Sequence, residues 1–382
     1  VHDKIALVVV GVHRSGTSAI TRLLNLLGAR LPKNLMPPLE GVNDRGFWES
    51  TEVQELNDEA LASAGSSWDD LMPIPEDWFE SPMAERFRAR TEDLLARHFA
   101  GTSLFVLKDP RLCRLLPLWH RALDAFGADS RFVHIFRNPV EVAASLGKRD
   151  GFETGKSHML WLRYALSAER HTRGHRRTFL SFDKLLRDWP SVIVKISRDL
   201  EIDWPRSIEA IRVEVDRFLE PSERHHVEED GDTSDVPTLV LRIYDTLLRL
   251  EAGSSPEADP VTVLETFDRV GQDIKSTDTL YGAIVGRPEN RAVLEEPEVA
   301  SKEQTGRLRD ENRTLREELS RLRQQMRSRD FELGRRDREL RSLDRRVAEL
   351  SSDLRTTRRS LMRLVRQAQA IKVLRQHEEG TR

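Results

Sequence analysis

The sequence predicts a three-layer α/β fold on a mainly parallel sheet, followed by a long C-terminal coiled-coil helix. Three observations point there. Short β-rich runs alternate with apolar patterns at helical spacing, the first run passes into a helix through a Gly/Ser/Thr loop, and beyond Gly306 the apolar period changes to seven. Ile5 to Gly11 is the first strand, and Ile20, Leu23, Leu24 and Leu27 mark one face of a helix that stops at Gly28. Leu104 to Leu107, Phe132 to Phe136 and Thr178 to Phe182 are the next β-rich runs. Helical patterns lie between them, around Glu85 to His98, Val140 to Leu146 and Met159 to Arg173, and two more follow at Thr238 to Leu250 and Val261 to Ile274. The segments Leu31 to Glu80 and Gly147 to His158 read as variable loops, and Pro221 to Val236 as an acidic polar stretch.

At 382 residues the chain suggests more than one unit, since a domain takes roughly 150 residues. The expected division is an α/β domain over 1–285, a Glu/Pro-containing linker over 286–305, a coiled coil over 306–375 and a disordered tail over 376–382. Charge divides the same way. From Ser301 to Arg382 there are 23 Lys+Arg against 14 Asp+Glu, a net of +9, so the overall −3 leaves −12 for residues 1–300. An acidic body argues against general nucleic-acid binding, while a basic tail either solvates a helix or meets an anionic surface. In the tail, heptad a positions fall at Asn312, Leu319, Met326, Leu333, Leu340, Val347, Leu354 and Leu361, with d positions from Leu308 to Ile371; 14 of the 18 are apolar. Asn312 at an a position and g-to-e pairs such as Glu311 with Arg316 favour a parallel homodimer. Arg329 and Arg336 at d, with Gly334 between them, weaken the middle of the seam and leave a kink or a heteromeric partner open.

The apolar run Ile5 to Val10 is shorter than the ~20 residues a bilayer span takes. The one cysteine, Cys113, has no intramolecular thiol partner, which favours a reducing compartment, and the cytoplasm is the expected setting. Cys113 has no evident activating partner and reads as structural, and no His/Cys/Asp spacing suggests a metal.

The chemistry concentrates at the strand ends. Gly11-Val12-His13-Arg14-Ser15-Gly16-Thr17-Ser18 stands where the first strand hands over to a helix, a P-loop-like place where backbone N–H groups and the helix N-terminus converge on an anion. Its glycine spacing matches the nucleotide-triphosphatase loop, yet Thr17 stands where that loop carries lysine, and Arg14 supplies the cation instead. Taken alone, the loop is either an anion site or a tight turn. A second element lies about 120 residues on: Phe136-Arg137-Asn138-Pro139 closes a strand, and Ser145 follows on the next helix. An arginine fork and a serine hydroxyl held at that separation suit one phosphate.

Together, HRSGTS and FRNPVEVAASL resemble the sulfotransferases that use 3′-phosphoadenosine-5′-phosphosulfate. The likeness extends to Leu107-Lys108-Asp109-Pro110-Arg111, similar to the KDPR stretch of bacterial and carbohydrate-type members, and to Leu180-Ser181-Phe182-Asp183-Lys184-Leu185-Leu186, similar to the family's YEDL segment. Arg14 stands where the small-molecule branch has lysine, and the family's C-terminal Gly-rich donor loop has no counterpart here. The resemblance implies that Arg14, Ser15, Gly16, Thr17 and Ser18 hold the 5′-phosphosulfate and that Arg137 and Ser145 hold the 3′-phosphate. It further implies in-line transfer to a hydroxyl or amine, with a carbohydrate or glycolipid as the favoured acceptor and no metal required. Arg14 and Thr17 are the candidates for the developing charge. Glu49, in Gly46-Phe47-Trp48-Glu49-Ser50, is the first candidate for general base, since a carboxylate beside two aromatics can sit in a partly dry cleft; Glu40 and then His13 follow. Lys108 and Asp109 either hold the acceptor or cap a strand end. Two further readings stay open: a small-molecule kinase with a degenerate loop, and a non-catalytic nucleotide-binding assembly protein.

Overall fold

Four short, apolar runs pair side by side in a computed structural model of the chain, which describes residues 4–38, 46–219, 235–253 and 260–285. They are β1 (Lys4–Val10), β2 (Leu104–Lys108), β3 (Ala128–Phe136) and β4 (Arg177–Ser181), all parallel, in the order β2-β1-β3-β4. A parallel sheet is covered on both faces, so its strands are apolar almost throughout rather than alternately. The period of two still decides which face each residue joins. Ala6, Val8, Val10, Phe105, Leu107, Phe132 and Phe136 enter one buried cluster, whereas Leu7, Val9, Val106, Val133, Ile135 and Leu180 enter the other. Two cores, one on each side of one sheet, make the three layers.

The first core is covered by α2 (Thr51–Ser63), α3 (Pro82–Phe99), α4 (Leu112–Ala125), α6 (Thr154–His171), α10 (Thr238–Ala252) and α11 (Pro260–Val285). The second is covered by α1 (Thr17–Leu26), α8 (Trp189–Leu200) and α9 (Ile208–Phe218). Two connecting helices, α5 (Pro139–Asp150) and α7 (Phe182–Arg187), leave the ends of β3 and β4. Local chemistry sets several starts. Ser81 accepts from the Ala84 amide to open α3, and Asn138 accepts from Val140, with Pro139 in the first turn, to open α5.

Every strand named from the sequence is present, with β3 longer by the four residues Ala128–Arg131. The differences are helical. The segment expected as variable loop from Leu31 to Glu80 contains α2, and Gly147 to His158 contains the end of α5 and the start of α6. Helix α4 was not expected and carries Pro117 in its interior; proline ordinarily ends a helical pattern. Helices α7, α8 and α9 likewise lie where no element was assigned. The linker over 286–305, the heptad seam and the final tail lie outside the described residues, as does Glu40.

The strand order positions the site. From β1 the chain moves to β2 on one side and then to β3 on the other, so the loops leaving neighbouring strands diverge at their carboxyl ends. That switch point is where open α/β sheets bind ligands. The phosphate-type loop, Lys108-Asp109, Arg137-Asn138 and Ser181-Phe182 all leave this edge.

Candidate functional site

The loop between β1 and α1 is fixed by two close approaches. A Cβ on Gly11 would lie 2.3 Å from the Ile135 carbonyl oxygen, and one on Gly16, at φ +88°, would lie 2.2 Å from the Phe182 ring. Neither position has room for a side chain, and Gly16 also needs the left-handed backbone that glycine adopts without penalty. Arg14 takes a positive φ of 70° as a non-glycine residue, a conformation that costs energy and is held by its surroundings. The Gly11 amide donates to Cys113 Sγ at 3.2 Å, and burial pushes that thiol up to about 12. Cys113 therefore packs beneath the loop as a protonated, unreactive group. Ser15 is fully buried, and its hydroxyl has no hydrogen-bond partner among the described residues. No side chain caps the N-terminus of α1. Two closely packed glycines, an unpartnered buried hydroxyl and an uncapped helix start thus lie together in this loop, and an uncapped helix start presents backbone N–H groups of the kind that bind anions.

The two motifs meet. Arg14 Nε donates to Ser145 Oγ at 2.8 Å, joining the first loop to α5. Arg137 is held differently: its Nε donates to the Glu141 carboxylate, its carbonyl accepts from Trp161 Nε1 at 3.0 Å, and its guanidinium lies 5.2 Å from the Phe182 ring centroid. Ser145 is thus bonded to Arg14, and Arg137 to the first turn of α5, the helix that follows it. Phe182 touches both motifs, Gly16 on one side and Arg137 on the other.

Lys108 stands at the end of β2 with its side chain fully buried. Its ammonium donates to the Glu49 carboxylate and to Ser18 Oγ, the latter at 3.1 Å. Glu49 is carried there by a short antiparallel bridge between Leu35 and Ser50, and its carbonyl accepts from the Met36 amide at 2.7 Å. Burial raises the Glu49 pKa; Lys108 pulls it back, and the neighbouring Asp109 pushes it up again. Asp109, also fully buried, accepts from the Arg111 amide at 2.8 Å and from Arg111 Nη1 at 3.2 Å, while Arg111 Nε donates to Asp58. Asp109 thereby fixes the turn after β2, and Lys108 is the member of the pair that reaches the loop.

His13 packs its ring 4.5 Å from that of Trp68, and Tyr164 lies 6.1 Å away. Burial holds its pKa well below the ordinary histidine value, assisted by Arg111, Arg149, Lys108 and Arg14. Near neutral pH it is an uncharged imidazole, and a poor base. Trp68 belongs to a pinned loop: its carbonyl accepts from Tyr164 Oη at 2.7 Å, and Arg114 donates to the carbonyls of Ser67 at 2.7 Å and Met72 at 2.6 Å. Phe152 stacks on Trp68 at 5.6 Å. The structure gathers Arg14, Ser15, Gly16, Thr17 and Ser18 in the loop and first turn after β1, with Lys108 reaching Ser18 and Glu49 reaching Lys108. Phe182 and Arg111 entered the sequence reading only as members of their motifs, and their contacts with Gly16, Arg137 and Asp58 are made by residues distant in the chain.

The sequence profile of the sulfotransferase family matches residues 6–206. The chain belongs to this family. The matched stretch runs from β1 past α8 and includes each of the residues just described, while α10 and α11 of this sulfotransferase-family chain lie beyond it. Among solved structures the chain is similar to the sulfotransferase domain from the curacin biosynthetic pathway, at 13% identity over 64% of this chain and 98% of that one, with a TM-score of 0.35. It is also similar to the sulfotransferase domain of the Synechococcus PCC 7002 olefin synthase, at 17% identity over 64% of this chain and 94% of that one, with a TM-score of 0.37. No curated protein matches the chain. Among the described residues no helix is long and apolar enough to cross a membrane, and no group of three or more His, Cys, Asp or Glu side chains is placed to hold a metal ion.

Proposed function

We propose that this chain moves a sulfuryl group from 3′-phosphoadenosine-5′-phosphosulfate to a hydroxyl or amine of an acceptor, by in-line transfer. The observation that carries the reading is the meeting of the two motifs through Arg14 and Ser145, at an edge where Lys108 links the loop to a buried carboxylate. The cradle suits such a donor: its glycines exclude a Cβ, and a buried serine hydroxyl awaits a partner. The donor supplies an activated sulfuryl group and a phosphate leaving group. The residues of the chain bind, orient and balance charge. Arg14, with Ser15, Gly16, Thr17, Ser18 and their amides, holds the 5′ end and meets the charge that develops there. Arg137 and Ser145 take the 3′-phosphate, which requires Arg137 to exchange Glu141 for the ligand. Lys108 steadies the transferring group, and Glu49, released from it, accepts the acceptor proton. The KDPR-like stretch and the half-buried Trp68, suited to a sugar face, support a carbohydrate or glycolipid acceptor and the bacterial, carbohydrate-type branch.

Calorimetric titration with 3′-phosphoadenosine-5′-phosphate tests the donor. The expected result is binding at least tenfold tighter than ADP, with Arg137→Ala removing most of the difference; one lost charge-assisted contact corresponds to about 1.5–3 kcal/mol. Equal or tighter binding of ADP would reject the assignment in favour of the kinase reading. The heptad seam is proposed to form a parallel homodimer in the cytoplasm, a compartment that the free, buried Cys113 also suits. Light scattering should give a dimer for the full chain and a monomer once residues 306–382 are removed, and a truncated chain that remains dimeric would place the contact elsewhere.

A further inference from the structure

The last turn of α10 puts a carboxylate against the end of β4. Glu251 is buried; it accepts from the Ser181 amide at 2.6 Å, and the Ser181 hydroxyl lies 3.0 and 2.9 Å from its two oxygens. The same hydroxyl oxygen accepts from the Lys184 amide at 3.2 Å and so opens α7. Ser181 immediately precedes Phe182, the ring that closes on Gly16 and lies against Arg137. Helix α10 reaches the second motif at another point. Tyr244 stands edge-on to Phe136 at 6.1 Å and to Trp161 at 6.1 Å, and Trp161 Nε1 donates to the Arg137 carbonyl. Both contacts come from a helix outside the family-matched stretch.

We propose that Glu251 is a positioning residue for the anion site: from α10 it fixes Ser181, and thereby the Phe182 ring that sets the spacing between the phosphate loop and Arg137. A carboxylate this close to an anion site works against binding by charge alone, so its value there is geometric. It accepts from a strand-end amide and from the proton of the Ser181 hydroxyl, two donors that would otherwise be buried without acceptors, and it fixes the backbone one residue from the ring. The inference rests on the proposed donor reading for its ligand, and on the contacts of Ser181 and Phe182 for its geometry.

The test is a double-mutant cycle on the full chain, read as affinity for 3′-phosphoadenosine-5′-phosphate and, separately, as Tm. Glu251→Ala is expected to weaken binding by about tenfold and Phe182→Leu by a similar factor, with the double variant no weaker than about tenfold, because the two act through one contact. Glu251→Gln keeps an acceptor for Ser181 and should stay within about threefold of the parent. A merely structural Glu251 would lower Tm while leaving the affinity of the folded protein unchanged, or would multiply with Phe182→Leu; either result overturns the proposal. Should Glu251→Ala not fold, Ser181→Ala, which removes the hydroxyl end of the same contact, takes its place in the cycle. A parent that prefers ADP rejects sulfuryl transfer, and the same cycle read with ADP then decides the role of Glu251. A parent that binds neither nucleotide rejects both.

Discussion

Glu49→Gln is expected to lower kcat by about 10²–10⁴-fold, the range a positioned general base supplies, with little change in donor affinity. The glutamine keeps the shape of the side chain and an oxygen that can still accept from Lys108, so the cradle is preserved while the proton acceptor is lost. The pH profile separates this from damage. Glu49 must be ionised to act, and burial raises its pKa despite Lys108. The acid limb of kcat should therefore lie above the ordinary carboxylate value, activity falling as pH drops through that raised pKa, and the limb should vanish in the variant. A kcat within about threefold of the parent would exclude Glu49 as the base.

Lys108→Met carries the largest expected cost in stability. The lysine side chain is fully buried and the glutamate nearly so, and removing one member of such a pair leaves an uncompensated charge worth about 3–5 kcal/mol. In a domain of this size that corresponds to a Tm lower by on the order of 10 °C. The loss depends on pH, and its sign follows from the variant's chemistry. Without its cation, Glu49 has a folded-state pKa above its unfolded value, so the unfolded state gives up its proton first and stability falls as pH rises through that window. The deficit should be greater at pH 7 than at pH 5. Combining Lys108→Met with Glu49→Gln replaces the pair by neutral groups of similar volume and should recover most of the Tm. A single variant as stable as its parent at pH 7 would show that the pair is solvated, and the role given to Lys108 would fall with it.

The strands were legible because each is a run of apolar residues followed by a turn, and the loop because its glycines and serines occupy a strand-to-helix handover. Glu49 could be singled out because two aromatics precede it and because the resembled family often uses a glutamate after the first helix as base. Its partner could not, since Lys108 is far along the chain and its alternatives, acceptor binding or a strand-end cap, differ only in where the side chain points. The pairing expected of Arg137 and Ser145 rested on their spacing. In the fold, Arg14 takes the serine from 131 residues away, and Glu141, four residues on, takes the arginine. Helix α4 escaped notice through Pro117, and α7 to α9 because their apolar residues are spread over short segments. Glu251 carried no sequence signal; a single acid near the end of an amphipathic helix is ordinary until the end of β4 is placed against it.

The approach of Gly16 to Phe182 and of Gly11 to Ile135 also governs when the cradle can exist during synthesis. Strand β1, its loop and α1 leave the ribosome before the other strands, yet the groups packed against the loop's glycines come from β3 and from the residue after β4. Such distant contacts form only after the intervening chain has been closed, at its full entropic cost. A nascent chain synthesised only as far as β2 thus holds the Gly11 to Ser18 loop in sequence without the packing that fixes its glycines. Under the proposed donor reading, recognition is then a property of the completed sheet, and a bound donor adds its free energy to the finished fold alone.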